Sequence, residues 1–268
     1  MAIIAMDREM GSGGRAIAAG VAKALGASQI VYEIIDHLAD RMRVRKSHVV
    51  RLLEDGEDLD HALTPDDILP AILSPLEVLE LASLPESVVL RGWGATALLR
   101  EVGHVLRVRV TAPHEARVKN LMRRVKNPDR SKVETEIAYA DEAHGAIMRR
   151  HFSVDYRDPA LYHLVLDTSV TPLDKCIEIV VALADDARFA ETETSRLRLA
   201  SLMTESHVKA LLKLHPPTRN LAIGIAAEGS EVTLSGAVPS TEIRDRCELV
   251  AWRVPGMTQV RNELQIAA

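Results

Sequence analysis

The sequence predicts an α/β protein, with a five-stranded parallel sheet carrying helices on both faces and a smaller α+β unit behind it. Three observations lead there. Short apolar runs alternate with helical patterns through the first two-thirds of the chain. The first run, Ala2 to Met6, leads through a glycine-rich stretch, Met6-Asp7-Arg8-Glu9-Met10-Gly11-Ser12-Gly13-Gly14-Arg15, into a helical pattern. From Thr204 the order changes to helix, two strands, helix, strand.

Composition sets the limits. At 268 residues, two domains are expected rather than one. Hydrophobic residues make up 47% and aromatics only 3%, so aliphatic side chains must fill the cores. A net charge of −5 argues against general nucleic-acid binding. Cys176 and Cys247 are far apart, show no metal spacing and sit in helical patterns, where a plain buried thiol is expected. His48, His61 and His104 support no metal site, and none is assigned. No initial apolar run is long enough for a signal peptide and no segment for a bilayer span, so a cytoplasmic protein is expected.

The first helix is expected to carry Ile17, Val21 and Leu25 on one face and to stop at Gly26. Gln29 to Glu33 reads as the second strand and Ile34 to about Arg45 as helix. Residues 46 to 86 read as short helices, one starting at Ser74-Pro75-x-Glu77. Ser87 to Gly92 is the third strand, Val105 to Thr111 the fourth and Tyr162 to Asp167 the fifth. On the fourth, Leu106, Val108 and Val110 alternate with Arg107 and Arg109, so one face is wet or salt-bridged. A helix carrying Ile177, Val180 and Val181 follows.

The chemistry gathers at the glycine-rich stretch. Strand, glycine turn and helix form the plan of a phosphate-binding loop, in which backbone N–H groups converge on an anion. Arg15 adds a full positive charge to the helix end. Against the pattern G-x-x-x-x-G-K-[ST], with Gly14 as the second glycine, Glu9 stands at the first, Arg15 replaces lysine and Ala16 replaces the hydroxyl. On spacing alone, a turn that merely joins strand to helix remains an equal reading. Between the fourth and fifth strands lie Arg117, Arg123, Arg124, Arg130, Arg149, Arg150 and Arg157. They read either as cations for phosphoryl transfer or as a solvated helix face.

The loop, with Val31-Tyr32-Glu33 after it, resembles the start of the cytidylate kinase-like family. The resemblance continues through Arg91-Gly92-Trp93-Gly94-Ala95, Thr111-Ala112-Pro113 with Arg117, and Asp155-Tyr156-Arg157-Asp158-Pro159 to Asp167-Thr168-Ser169. It covers residues 1–185 and implies a P-loop nucleoside monophosphate kinase fold, ATP with Mg2+ as cofactors, and CMP or dCMP as acceptor. It places Gly11, Ser12, Gly13, Gly14 and Arg15 on the donor phosphates. It implies catalytic cations at Arg15, Arg117, Arg149, Arg150 and Arg157, and acceptor binding by Arg8, Tyr32, Glu33 and Arg91. Where the family tends to carry paired arginines, this chain has Asp141-Glu142-Ala143-His144-Gly145, and its Tyr-Asp pair is Tyr32-Glu33. Without a loop hydroxyl, magnesium would depend on the phosphates, water and Asp7 or Asp167.

Residues 186–203 are charged and weakly periodic, a linker or a helical extension. Residues 204–268 resemble the BON domain, on Val232-Thr233-Leu234-Ser235-Gly236-Ala237-Val238 and Val254-Pro255-Gly256-Met257-Thr258-Gln259-Val260-Arg261-Asn262. Glu228-Gly229-Ser230 signals a hairpin, Gly236 a bulge or a close helix approach, and Ser240 a helix cap. The resemblance implies phospholipid or membrane-surface contact, with a regulatory or oligomerising module fitting equally well. Two functions follow: an active phosphotransferase tuned or localised by its BON domain, or a nucleotide sensor that signals through it.

Overall fold

The structure is a computed structural model that describes residues 1–27, 45, 75–92, 94–124 and 129–267. Strand β1 (Ile3–Arg8) runs into helix α1 (Gly14–Ala24). Helix α2 (75–82), strand β2 (Val88–Arg91) and the short helix α3 (Ala95–Leu98) follow. Strand β3 (Val105–Thr111), helices α4 (His114–Met122) and α5 (Arg130–Phe152), strand β4 (Leu164–Asp167) and helix α6 (Leu173–Ala184) are the remaining strands and α-helices of the first unit among the described residues.

The strands are ordered β2-β1-β3-β4, all parallel, with Asp7 level with Arg109. Among the described residues the sheet has four strands, not five. The expected strand Gln29–Glu33, with Tyr32 and Glu33, lies outside the described residues. Strand alternation sorts the two faces. Ile4, Met6, Leu106, Val108 and Val110 pack against Ile17, Val21, Cys176 and Val180 of α1 and α6. Ile3, Ala5, Leu90 and Val105 pack on the other side with α2, α3 and α5. The chain order reverses about β1, so the crevice beyond the carboxyl ends of β1 and β3 is where such sheets take ligands.

Residues 193–203 form the first half of one long helix, α7 (Glu193–Leu214), so the helical extension replaces a loose linker there. Thr192 caps it: its side chain accepts from Ser195 N at 3.2 Å, while Ser195 Oγ accepts from Thr192 N at 3.0 Å. Leu199 and Leu202 lie in the core of the first unit, and Val208 and Leu212 in that of the second. Strands β5 (Gly224–Glu228) and β6 (Glu231–Val238) pair antiparallel around Gly229 and Ser230, the hairpin read from the sequence. Helix α8 (Thr241–Ala251), capped by Ser240, crosses over to β7 (Gln259–Ile266), which pairs parallel to β6. Gly236 has φ 120°, and an added Cβ would meet the Ala222 carbonyl at 2.9 Å, so the close approach comes from backbone rather than a helix. Asn262, which breaks the alternation of β7, donates to Arg244 O and Glu248 Oε2 at 3.0 and 3.1 Å. Both cysteines are buried in helices, where desolvation raises their thiol pKa values. No helix among the described residues is long and apolar enough to cross a membrane.

If α7 is part of the first core, Leu199→Ala should cost about 2–4 kcal/mol in urea unfolding. A change below about 0.5 kcal/mol, the scale of a surface substitution, would show that the helix merely lies on the surface.

Candidate functional site

The glycine-rich loop leaves β1 at its carboxyl end and enters α1 through residues that other side chains could not replace. Gly11 and Gly13 have φ of 81° and 85°, in the left-handed region that suits glycine. A Cβ on Gly11 would lie 2.7 Å from the Arg117 carbonyl oxygen, and one on Gly13 2.9 Å from Leu173 Cδ2. Gly13 is the N-cap of α1 and offers no side chain to its orphan N–H groups. No acidic residue stands in the first turn, and Arg15 is exposed. Among the described residues, no hydrogen bond takes up the N–H of Gly13 or Gly14. The Ser12 hydroxyl is buried without a hydrogen-bond partner. An uncapped helix end, vacant N–H groups and a cation make an anion cradle.

The loop is held from beneath by charge. Glu9 Oε1 accepts from Arg109 Nη2 at 2.7 Å. Glu9 Oε2 accepts from Thr111 Oγ1 at 2.5 Å and from Ala112 N at 3.4 Å, and lies 3.6 Å from Arg117 Nη1. Arg117 forms a bidentate pair with Asp141 at 2.7 and 2.9 Å and donates from Nε to Met10 O at 2.8 Å. Asn120 Nδ2 donates to Gly11 O at 3.0 Å, and Thr168 Oγ1 to Ser12 O at 2.7 Å. Residues of β3, α4, α5 and the segment after β4 therefore all grip the loop.

Beside this lies a second buried group. Tyr162 OH sits 2.7 Å from both Asp7 Oδ2 and the Tyr156 carbonyl. Arg109 donates to the same Tyr156 carbonyl, and its guanidinium stands over the Tyr156 and Tyr162 rings at 5.0 and 5.8 Å. His144 stacks on Tyr156 with ring centroids 4.0 Å apart, and its Nε2 is 3.3 Å from Asp7 Oδ1. Burial lowers the His144 pKa, against the opposing pull of Asp7, and burial raises those of Tyr156 and Tyr162. Both phenols and the imidazole are thus held neutral near pH 7.

The structure brings the expected residues together only in part. Gly11, Ser12, Gly13, Gly14 and Arg15 form the cradle. Arg8 adjoins it, with its Cβ 2.7 Å from where a Gly14 Cβ would lie. Arg91 is buried at the carboxyl end of β2. Arg117 is buried beneath the loop rather than lying open above it. Arg157 is exposed and donates to Tyr156 OH at 3.2 Å, a hydrogen bond that raises its pKa. Arg149 and Arg150 are exposed in the last turn of α5. Sequence reasoning gave Glu9 no role beyond a departure from the loop pattern and did not see that Asp141 pairs with Arg117. The alternation of Arg109 did signal a salt-bridged face.

Among the described residues no group of three or more His, Cys, Asp or Glu side chains could hold a metal ion. Asp7 is engaged by Tyr162 and by Arg8 N at 2.8 Å, and Asp167 Oδ1 accepts from Ser169 N and Oγ at 2.8 and 2.7 Å. Among the described residues the loop therefore fits a phosphate chain, and both candidate magnesium carboxylates already accept hydrogen bonds, Asp167 through one oxygen only.

A model of the cytidylate kinase-like family matches residues 3–170, and a model of the BON domain matches residues 203–268. A search of curated proteins finds no match. Among solved structures, an uncharacterized protein from Eubacterium ventriosum is similar at 18% identity and TM-score 0.51, over 69% of this chain and 98% of that one. A shikimate kinase from Bacteroides thetaiotaomicron is similar at 14% identity and TM-score 0.43, over 69% and 99%. One from Acinetobacter baumannii, in complex with shikimate, is similar at 16% and 0.41, over 70% and 96%.

A histidine held below its ordinary value of 6.5 binds fewer protons folded than unfolded. Its stabilising contribution is therefore present above pH 6.5 and is lost as the pH falls through that value toward the folded pKa. The urea midpoint should drop between about pH 7 and 5 and drop less in His144→Gln. Buried His104 and exposed His163 act in the same direction, so part of the slope remains. An identical slope in the variant would remove His144 from this account.

Proposed function

The chain belongs to the cytidylate kinase-like family and carries a C-terminal BON domain, and from that premise we propose an ATP-dependent phosphotransferase acting on CMP or dCMP. The observation that carries the reading is the loop itself: an uncapped α1, left-handed Gly11 and Gly13, and exposed Arg15 at the carboxyl edge of a parallel sheet. The loop N–H groups and Arg15 would bind the donor phosphates. Among the described residues, Arg8, Arg91, Arg149, Arg150 and Arg157 would be the cations that meet an acceptor phosphate. With little covalent help possible, transfer rests on placing the two phosphates in line and screening their charge. Magnesium, which the family implies, would be held by the nucleotide's own phosphates, because Ala16 offers no hydroxyl. The pyrimidine acceptor rests on the family alone.

A nucleotide sensor without useful turnover is the second reading. It is favoured by Asp141, an acid where the family tends to carry arginine, which neutralises Arg117. The BON domain would then report occupancy of the loop, at a phospholipid surface or to another copy of the chain.

ADP formation from ATP, with CMP, dCMP, UMP and AMP offered in turn, separates the two. Turnover with CMP or dCMP is expected. ATP binding without turnover would favour the sensor, and neither would end the nucleotide reading. Arg15→Ala should weaken ATP binding by at least about 1.5 kcal/mol, the scale of one charge-assisted hydrogen bond. An unchanged Kd would remove Arg15 from the phosphate site.

A further inference from the structure

We infer that Arg117 is a positioning residue that ties the glycine loop to α5, and not a cation that meets the phosphates; this rests on the loop reading above. All three guanidinium nitrogens are engaged. Nε donates to Met10 O at 2.8 Å, Nη1 to Asp141 Oδ2 at 2.9 Å and Nη2 to Asp141 Oδ1 at 2.7 Å. Glu9 Oε2 adds a second carboxylate 3.6 Å from Nη1. The side chain is 5% exposed. A phosphate reaching it would have to displace Asp141 and approach Glu9, a like charge, in a buried setting. The fork of the guanidinium matches the carboxylate, which a point-charge ammonium would not.

The main chain of the same residue supports the same role. The Arg117 carbonyl lies 2.7 Å from where a Gly11 Cβ would sit, so residue 117 closes on the loop with side chain and backbone together. Asn120, one turn further along α4, takes the Gly11 carbonyl at 3.0 Å. Asp141 stands near the middle of α5, a helix of 23 residues whose Ala143 and Ile147 are anchored in the sheet's core. Arg117 thus joins the loop to a rigid element and sets where the vacant N–H groups of Gly13 and Gly14 point. Exposed Arg15 remains the loop's own cation.

The test uses the full chain with Arg117→Lys, Asp141→Asn and the double variant. Two quantities are read: ATP affinity by calorimetry, and, without nucleotide, amide hydrogen exchange in the loop at Ser12, whose N–H donates to Glu9 O at 3.1 Å. Exchange at Ile3–Met6 checks that the sheet is intact. Each single change should speed loop exchange and weaken ATP binding by a similar factor, roughly tenfold. The double variant should be no worse than either single one, because both remove the same pair. A direct phosphate cation gives the opposite pattern: Asp141→Asn would leave ATP binding unchanged or tighter while Arg117→Lys weakened it, and that overturns the proposal. Unchanged loop exchange in both variants also overturns it, whatever ATP does. If the unsubstituted protein bound no ATP, the loop reading would fall, and loop exchange would still decide whether Arg117 positions the loop.

Discussion

A backbone cradle for anions works only if its N–H groups are aimed before the anion arrives, and here the aiming depends on one largely enclosed carboxylate, 11% exposed. Glu9 joins Arg109 on β3, Thr111 at its end and Arg117 on α4 to the start of the glycine loop. Removing any partner would strand a charge in a low-dielectric setting, which is why the cluster holds its geometry. Arg109 then reaches the Tyr156 carbonyl, which also faces Tyr162 OH, and Tyr162 meets Asp7 at the end of β1. The acidic and basic groups of the site are thus bonded mainly to one another, and the loop's vacant N–H groups and exposed Arg15 are what face outward.

This arrangement explains what the sequence disclosed and what it withheld. The loop was legible because glycine spacing is a local requirement of backbone conformation, and Gly11 and Gly13 do take the left-handed region. The four described strands of the first sheet were legible from apolar runs, and the wet or salt-bridged face of β3 from its alternating arginines. Glu9 and Asp141 were not, because their roles are pairings across 100 and 24 residues. In sequence each is an acid where another residue was expected. In three dimensions each meets a buried arginine, and only the topology brings them together. The arginines themselves could not be ranked in advance: buried Arg117 and exposed Arg149 look alike as letters in a basic stretch.

Helix α7 was hard to read for a different reason. Its apolar residues serve two cores that it meets from different sides. At 100° per residue, Ser195, Leu199 and Leu202 fall together, and Ser201, Val208 and Leu212 fall together about 130° further round. The first set faces His104 and the core containing Ile3, Val88 and Val105, with Ser195 Oγ 2.7 Å from His104 Nδ1. The second faces the C-terminal unit, with Ser201 Oγ accepting from Gly229 N at 2.8 Å. Two short stripes on different sides weaken the periodicity, so the half before Thr204 reads as a linker or a helical extension while the half from Thr204 reads as helix. The bridge is reinforced by Arg198, which pairs with Glu101 at 2.7 Å and Glu205 at 3.2 Å, while Glu205 also accepts from Ala227 N.

The placement of that bridge limits what the BON domain can do to the glycine loop. Helix α7 meets the first unit at Glu101 and His104, just before β3, and so at the edge of the sheet opposite the loop. Strands of six and seven residues at about 3.3 Å per residue separate the two edges by roughly 20 Å. No BON side chain needs to touch a phosphate for the two units to be linked. Leu199 and Leu202 share a core with Ile3 and Ala5 of β1, the strand that carries the loop at its far end. A ligand of the BON domain could act on the loop only by shifting how this shared core is populated, and only by as much as it distinguishes between the two states. A cooperative core is stiff, so that coupling acts on stability before it acts on geometry.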